Sequence, residues 1–262
     1  MHLGIVTDEV NMDFERAIEL CTMWGVKRFE IRQAWGKRFP NFDIDELNEI
    51  KEIRDNYGIE ITSVSPGIFK TTLSSENLDY HKTSLLQNSL AMAEELEVKK
   101  IIIFGIQRSP DDTEEDITRV IDILGEATLK AKSRGFQLLV ENEPGWWADT
   151  SKNTYKVLDS LRDTGLKLNW DPGNLFNAGE EDYKKGYELL KEFIGHVHVK
   201  DVKKTDNENI YVPVGQGDID WAGQLRDLKA DGYSENIIVE THLSPKEESS
   251  KISVEYVKKI IG

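Results

Sequence analysis

Gln137-Leu-Leu-Val-Glu141 is an unbroken aliphatic run closed by a carboxylate. Three later stretches repeat the design: Leu166-Lys-Leu-Asn-Trp-Asp171, Val197-His198-Val-Lys200 and Ile237-Ile-Val-Glu240. Continuous apolar runs, without strict apolar-polar alternation, are the signature of parallel strands buried on both faces. An ionisable residue closing such a run is costly unless it is paired or coordinates a cation. Glu141, Asp171, His198 and Glu240 therefore read as one group with a shared task.

Working outward, strand-like runs also occur from Leu3 to Val6, Phe29 to Ile31, Ile59 to Val64 and Lys100 to Phe104, and a helical pattern follows each of the eight. The first helix is expected from Asp13 to Trp24 with Gly25 as its stop, and the second from about Asp43 to Tyr57 with the stripe Ile44, Leu47, Ile50 and Ile53, ended by Gly58. Longer helices are expected near Leu78 to Glu97 and Thr113 to Arg134. Thr150 or Ser151 caps a fifth carrying Tyr155, Leu158 and Leu161. A sixth covers Glu181 to Phe193, a seventh opens at Asp220-Trp221, and Pro245 starts the eighth. Strict strand-helix alternation implies a parallel sheet. Eight such units in 262 residues favour a closed (β/α)8 TIM barrel, which takes roughly 250 residues, filling residues 1–262 as a single domain. An open dinucleotide-binding sheet loses its support at Thr7-Asp8-Glu9-Val10, where its glycine fingerprint is missing.

Composition narrows the partners. A net charge of −15 argues against nucleic acid, whose phosphates are met by lysine and arginine. No apolar run reaches the roughly 18 to 20 residues of a membrane span, and Met1-His-Leu-Gly leads directly into a strand without a secretory leader. The expectation is a cytoplasmic protein with no membrane partner. The single cysteine, Cys21, excludes an intrachain disulfide and a cysteine-cluster metal site and reads as a buried helix residue.

In a barrel of this kind the functional groups come from the carboxyl ends of the strands, so the four residues would face one mouth. Three carboxylates and an imidazole make an oxygen-rich site suited to one divalent ion, with Mn²⁺, Mg²⁺ or Co²⁺ favoured over Zn²⁺. Singly, each has a plainer explanation as a helix cap or a hydrogen-bonded core residue. His196 and His198 share a pleat face; His198 is assigned to the metal and His196 to packing beneath it. Glu143 has the parity of Glu141 and could reach the same cavity. Lys200 has the parity of His198 and could hold a substrate oxyanion. His242 is an alternative ligand or proton relay. Asp171-Pro-Gly-Asn174 reads as a turn.

With His-Val-His-Val-Lys-Asp around His198, Gly215-Gln-Gly-Asp-Ile-Asp-Trp221 after it, and Phe29-Glu30-Ile-Arg32 followed by Trp35-Gly-Lys37, the chain resembles the xylose isomerase-like sugar phosphate isomerase/epimerase superfamily over essentially its whole length. The segments Thr7-Asp8-Glu9 and Ser65-Pro-Gly-Ile-Phe-Lys70 share the likeness. The resemblance implies a TIM barrel with Glu141, Asp171, His198 and Glu240 as metal ligands, and Glu141 and Glu240 as the acid and base working on opposite faces of a ketose. Two positions depart from the epimerase pattern: Asn174 stands where a histidine is usual, and Trp147 where a substrate-binding glutamate is usual. Asn174 also removes a histidine that the superfamily's nucleases need.

The expected activity is divalent-metal-dependent isomerisation or epimerisation of a small sugar or keto-polyol, by proton abstraction next to a carbonyl and a metal-held enediolate. Glu30, Trp35, Glu143, Asn174, Lys200 and His242 are the expected substrate-binding residues, with Phe69, Trp146 and Trp147 as further walls. The alternative is a hydro-lyase on a keto-polyol, which shares the first step. A phosphodiester nuclease and a non-catalytic sugar-binding barrel are more remote, and relatives of this kind often form homo-oligomers.

Overall fold

A computed structural model describes residues Met1–Gly262. Eight strands, β1 His2–Val6, β2 Arg28–Ile31, β3 Glu60–Ile68, β4 Lys100–Phe104, β5 Gln137–Glu141, β6 Lys167–Trp170, β7 Ile194–Val199 and β8 Asn236–Val239, close into a parallel barrel in the order β1-β8-β7-β6-β5-β4-β3-β2. All eight expected runs are barrel strands. Their side chains are buried on both faces, as in Ile101, Ile102 and Ile103 of β4 and Leu138, Leu139 and Val140 of β5.

Chain contacts fall into two units. One comprises Met1–Thr62 with Val197–Gly262, the other Ser63–His196. In the first, β1 pairs with β2 (Ile5 with Phe29, Val6 with Glu30) and with β8, which pairs with β7 through Ile238 and His198. In the second, β4 pairs with β5 from Lys100 and Gln137 to Phe104 and Glu141, and β5 continues onto β6.

Helix boundaries follow local chemistry. Helix α1, Phe14–Met23, starts where Asp13 accepts the Arg16 N–H, and α2, Ile44–Tyr57, opens with a capping box between Asp43 and Glu46. Gly58 ends α2 at φ 57°, a left-handed conformation that costs a glycine little. Leu47, Ile50 and Ile53 of α2 are buried as expected, but Ile44 is 65% exposed. It occupies the first helical position, before the stripe turns inward. Thr150 caps Ser151–Ser160 and Asp220 caps Trp221–Ala230.

Three features go beyond the sequence reading. The third helix is divided: Leu78–Tyr80 and Leu86–Glu95 flank a π-helical turn at His81–Leu85. Asp171-Pro-Gly-Asn174 is no simple turn but the start of a short helix, Pro172–Asn177, capped by Asp171, with proline where its missing N–H costs nothing. After β7 an antiparallel hairpin pairs Asp201–Lys204 with Asn209–Val212. Asp201 anchors the return of that hairpin: its carboxylate accepts the backbone N–H groups of Val202, Gly215, Gly217 and Ile219. A β-carbon on Gly217 would lie 2.2 Å from Asp201 Oδ1, so the close approach requires glycine. Cys21 is buried and free, and burial pushes its thiol far above the ordinary range.

Candidate metal centre

Each residue of the quartet stands at the carboxyl end of its strand. Glu141 closes β5, Asp171 follows β6, His198 is next to last in β7, and Glu240 follows β8. All four are buried, and one ligand atom from each can be chosen so that the four lie within 4.8 Å of one another.

In the unit Ser63–His196, two strand-end acids are fixed by amides. The side-chain amides of Asn169 and Asn174 donate to the two oxygens of Glu141, at 3.2 and 3.1 Å. Asn142 and Asp171 bridge β5 and β6 reciprocally: Asn142 Nδ2 donates to the Asp171 carbonyl at 2.7 Å, and the Asp171 N–H donates to Asn142 Oδ1 at 2.9 Å. Asp171 Oδ1 accepts the Asn174 N–H at 2.9 Å. Both side-chain N–H groups of Asn174 are thus committed, the second reaching the Asn142 carbonyl at 2.9 Å.

In the unit Met1–Thr62 with Val197–Gly262, cations do the fixing. Glu240 Oε1 accepts from Arg32 Nη1 at 2.7 Å, and Oε2 accepts from Lys200 Nζ at 2.9 Å. Arg32 also binds Asp8 at 2.6 Å and Glu9 at 2.5 Å, so one guanidinium serves three carboxylates. Glu9 Oε2 receives Thr241 Oγ1–H and the His242 N–H. The His242 ring lies between Glu9 and Glu240, at 3.2 and 3.3 Å. His198 Nε2 is 3.2 Å from Glu30 Oε2, which sets the ring and leaves Nδ1 on the side of Glu240, 3.4 Å away. A carboxylate behind a ligating imidazole fixes its tautomer and raises its basicity.

Charge follows these contacts. Burial works against the ionised Glu240, but Lys200, His242 and His198 outweigh it and hold the carboxyl well below its usual range. Burial likewise opposes the charge on Arg32, yet Glu240, Asp8 and Glu9 keep it firmly protonated. Glu9 falls to about 2 because its bond to His242 and the Arg32 charge exceed the cost of burial. The Glu240 carboxylate raises His242 to about 9.

Three buried carboxylates and one imidazole converging within 4.8 Å carry more negative charge than an unliganded interior tolerates. Arg32 and Lys200 offset part of it, and a divalent cation bound by oxygens and one nitrogen fits the remainder.

The expected substrate residues divide. Trp35, in a left-handed conformation at φ 51°, packs against Phe14 and Phe42. Phe69 and Trp147 are fully buried, and His242 and Glu143 are partly exposed. Glu30 is completely buried against His198, and Lys200 is turned to Glu240. His196 is buried beside Ser63, at 3.4 Å. Arg32, just beyond the end of β2 and two residues past Glu30, joins the site without a signal of its own in the sequence.

The family described as xylose isomerase-like TIM barrel matches residues 16–260. The chain belongs to that family. Among curated proteins, this xylose isomerase-like barrel is similar to an inosose dehydratase of Mesomycoplasma hyopneumoniae (strain 7448), 23% identical over 286 aligned positions that cover 96% of this chain and 90% of that protein. Among solved structures it is similar to the IOLI protein crystallised with a binding zinc atom, with a TM-score of 0.80, 19% identity and coverage of 100% and 98% of the two chains. It is also similar to an L-ribulose 3-epimerase, with a TM-score of 0.79, 17% identity and coverage of 100% and 95%. No helix of the protein is long and apolar enough to cross a membrane.

Proposed function

We propose that this barrel is a divalent-metal-dependent enzyme that removes a proton next to the carbonyl of a small sugar or keto-polyol and returns it either to the neighbouring carbon, as an isomerase, or to the opposite face of the same carbon, as an epimerase. The observation that carries the reading is the buried group Glu141, Asp171, His198 and Glu240, with four ligand atoms within 4.8 Å. These four would hold Mn²⁺, Mg²⁺ or Co²⁺, with Zn²⁺ also compatible, and the ion would supply Lewis-acid polarisation of the carbonyl.

The chain's own groups set the division of labour. Glu141, oriented by the side-chain amides of Asn169 and Asn174, is the proton acceptor. Glu240, fixed by Arg32 and Lys200, is the partner on the opposite face, and His242 beside it relays its proton to the exposed side. Asp171 and His198 serve as ligands only.

A hydro-lyase reading shares the first step and is favoured by the similarity to an inosose dehydratase. Incubating the metal-loaded protein with free ketoses and keto-polyols in D₂O tests both. Deuterium is expected at the carbon next to the carbonyl; a product lighter by one water assigns the dehydratase. Glu141→Gln is expected to abolish exchange while metal is retained, and Glu240→Gln to lower bound metal by elemental analysis. Absence of exchange across the panel sinks the mechanism.

A further inference from the structure

We infer that Lys70, Glu143, Trp146 and Phe104 form a recognition subsite for the hydroxyl-bearing end of an uncharged polyol. The inference deepens the proposed function, since it names the substrate class that the same strand ends would take. All four residues lie in the unit Ser63–His196.

The turn after β3 delivers Lys70. Gly67 (φ 82°) and Phe69 (φ 66°) are both left-handed, and the Lys70 N–H bonds the Gly67 carbonyl at 3.1 Å. A phenylalanine in that conformation is strained and persists only where its surroundings hold it. Here the Phe69 N–H donates to His81 Nδ1 at 2.8 Å, and the ring is fully buried against the His81 ring. The neighbouring loops are laced to the turn: Gln107 N–H donates to the Thr71 carbonyl at 2.9 Å, and Gln107 bridges in turn to Trp146. The Lys70 backbone is therefore fixed by its neighbours on β3, β4 and β5, at the strand ends where TIM barrels carry their chemistry.

Its ammonium is aimed by these contacts and keeps its hydrogen-bond donors for a ligand. Lys70 Nζ lies 4.1 Å from the centre of the Phe104 ring and 5.9 Å from that of Trp146. The nearest carboxylate oxygen, Glu143 Oε2, is 4.0 Å away, beyond hydrogen-bonding distance, and Lys70 Nζ donates no hydrogen bond. The side chain is 40% exposed and that of Glu143 is 24% exposed. One hydroxyl oxygen about 2.8 Å from each could accept from Lys70 and donate to Glu143 at once. An ammonium, a carboxylate and two ring faces constitute a donor, an acceptor and an apolar platform, which suits a polyol. The pair's charges cancel, so a phosphate dianion would meet Glu143 unfavourably. Phe104 is the register partner of Glu141, so the platform adjoins the proposed proton acceptor at about one strand spacing.

Binding is measured on the metal-loaded protein by saturation-transfer NMR and calorimetry, with free ketohexoses, a cyclic keto-polyol and the ketohexose 6-phosphates as probes, independently of turnover. Lys70→Gln and Glu143→Gln are each expected to weaken the free polyols about tenfold or more, with wild-type metal content and melting temperature, and Lys70→Arg to restore part of the loss. The phosphate esters are expected to bind at least about tenfold more weakly than the free sugars, and Glu143→Gln to narrow that gap. Tighter binding of the esters, or variants that bind free polyols like wild type, or no binding of any probe, overturns the subsite. Binding that shifts as expected without deuterium exchange sustains the subsite while removing the proposed catalysis.

Discussion

Glu141 and Glu240 close equivalent strands, yet each is held by opposite means. Around Glu141 the named donors are the amides of Asn169 and Asn174; around Glu240 they are the guanidinium of Arg32 and the ammonium of Lys200. Amides orient a carboxylate, whereas the cations beside Glu240 hold it ionised. Two identical side chains thereby stand in different settings, with amide donors at one and cationic donors at the other.

The largest test of this contrast removes its cationic pole. Arg32→Ala strands Asp8, Glu9 and Glu240 as buried carboxylates, a loss expected to cost about 3–5 kcal/mol in denaturant unfolding. Arg32→Lys should recover only part, because one ammonium cannot serve three carboxylates in a fixed fork. A cost below about 1 kcal/mol for the alanine variant would show that Arg32 is not what balances that side.

Next comes the acid limb. Folding lowers Glu9 from its ordinary 4.5 to about 2, so its contribution is fully present above pH 4.5 and is lost as pH falls toward 2. A shift of that size corresponds to about 3 kcal/mol. Stability of the metal-free protein should fall across that window, and Glu9→Gln should flatten the fall. An unchanged slope in the variant would detach Glu9 from the network.

The smallest effect belongs to the amide pole. Asn174→Ala withdraws one donor from Glu141 and one from the Asn142 carbonyl while leaving the helix cap at Asp171 intact, for an expected cost of about 1–3 kcal/mol. If it proves as damaging as Arg32→Ala, the distinction between the two poles fails.

Much of this was legible along the chain. Buried parallel strands need continuous apolar runs, so the eight strands could be read directly, and acids in capping positions marked helix starts at Asp13, Asp43 and Asp220. Asp171 misled, because one aspartate can open a turn or cap a helix, and Pro172 suits both. The hairpin after β7 carries no local signature, because it is held by Asp201, whose carboxylate collects four backbone N–H groups from residues as far along the chain as Ile219. Glu30 is fully buried against His198, 168 positions away in sequence, a contact with no local trace.

The barrel and the four strand-end candidates could be read along the chain, because apolar period, capping and burial cost are local properties written into neighbouring residues. Which charge faces which is settled in space. Arg32 meets Glu240 across 208 positions of sequence, and Lys70 comes to the Phe104 ring from a different strand end. Electrostatic partnership depends on separations of a few ångströms in space, and along the chain those separations leave no periodic trace.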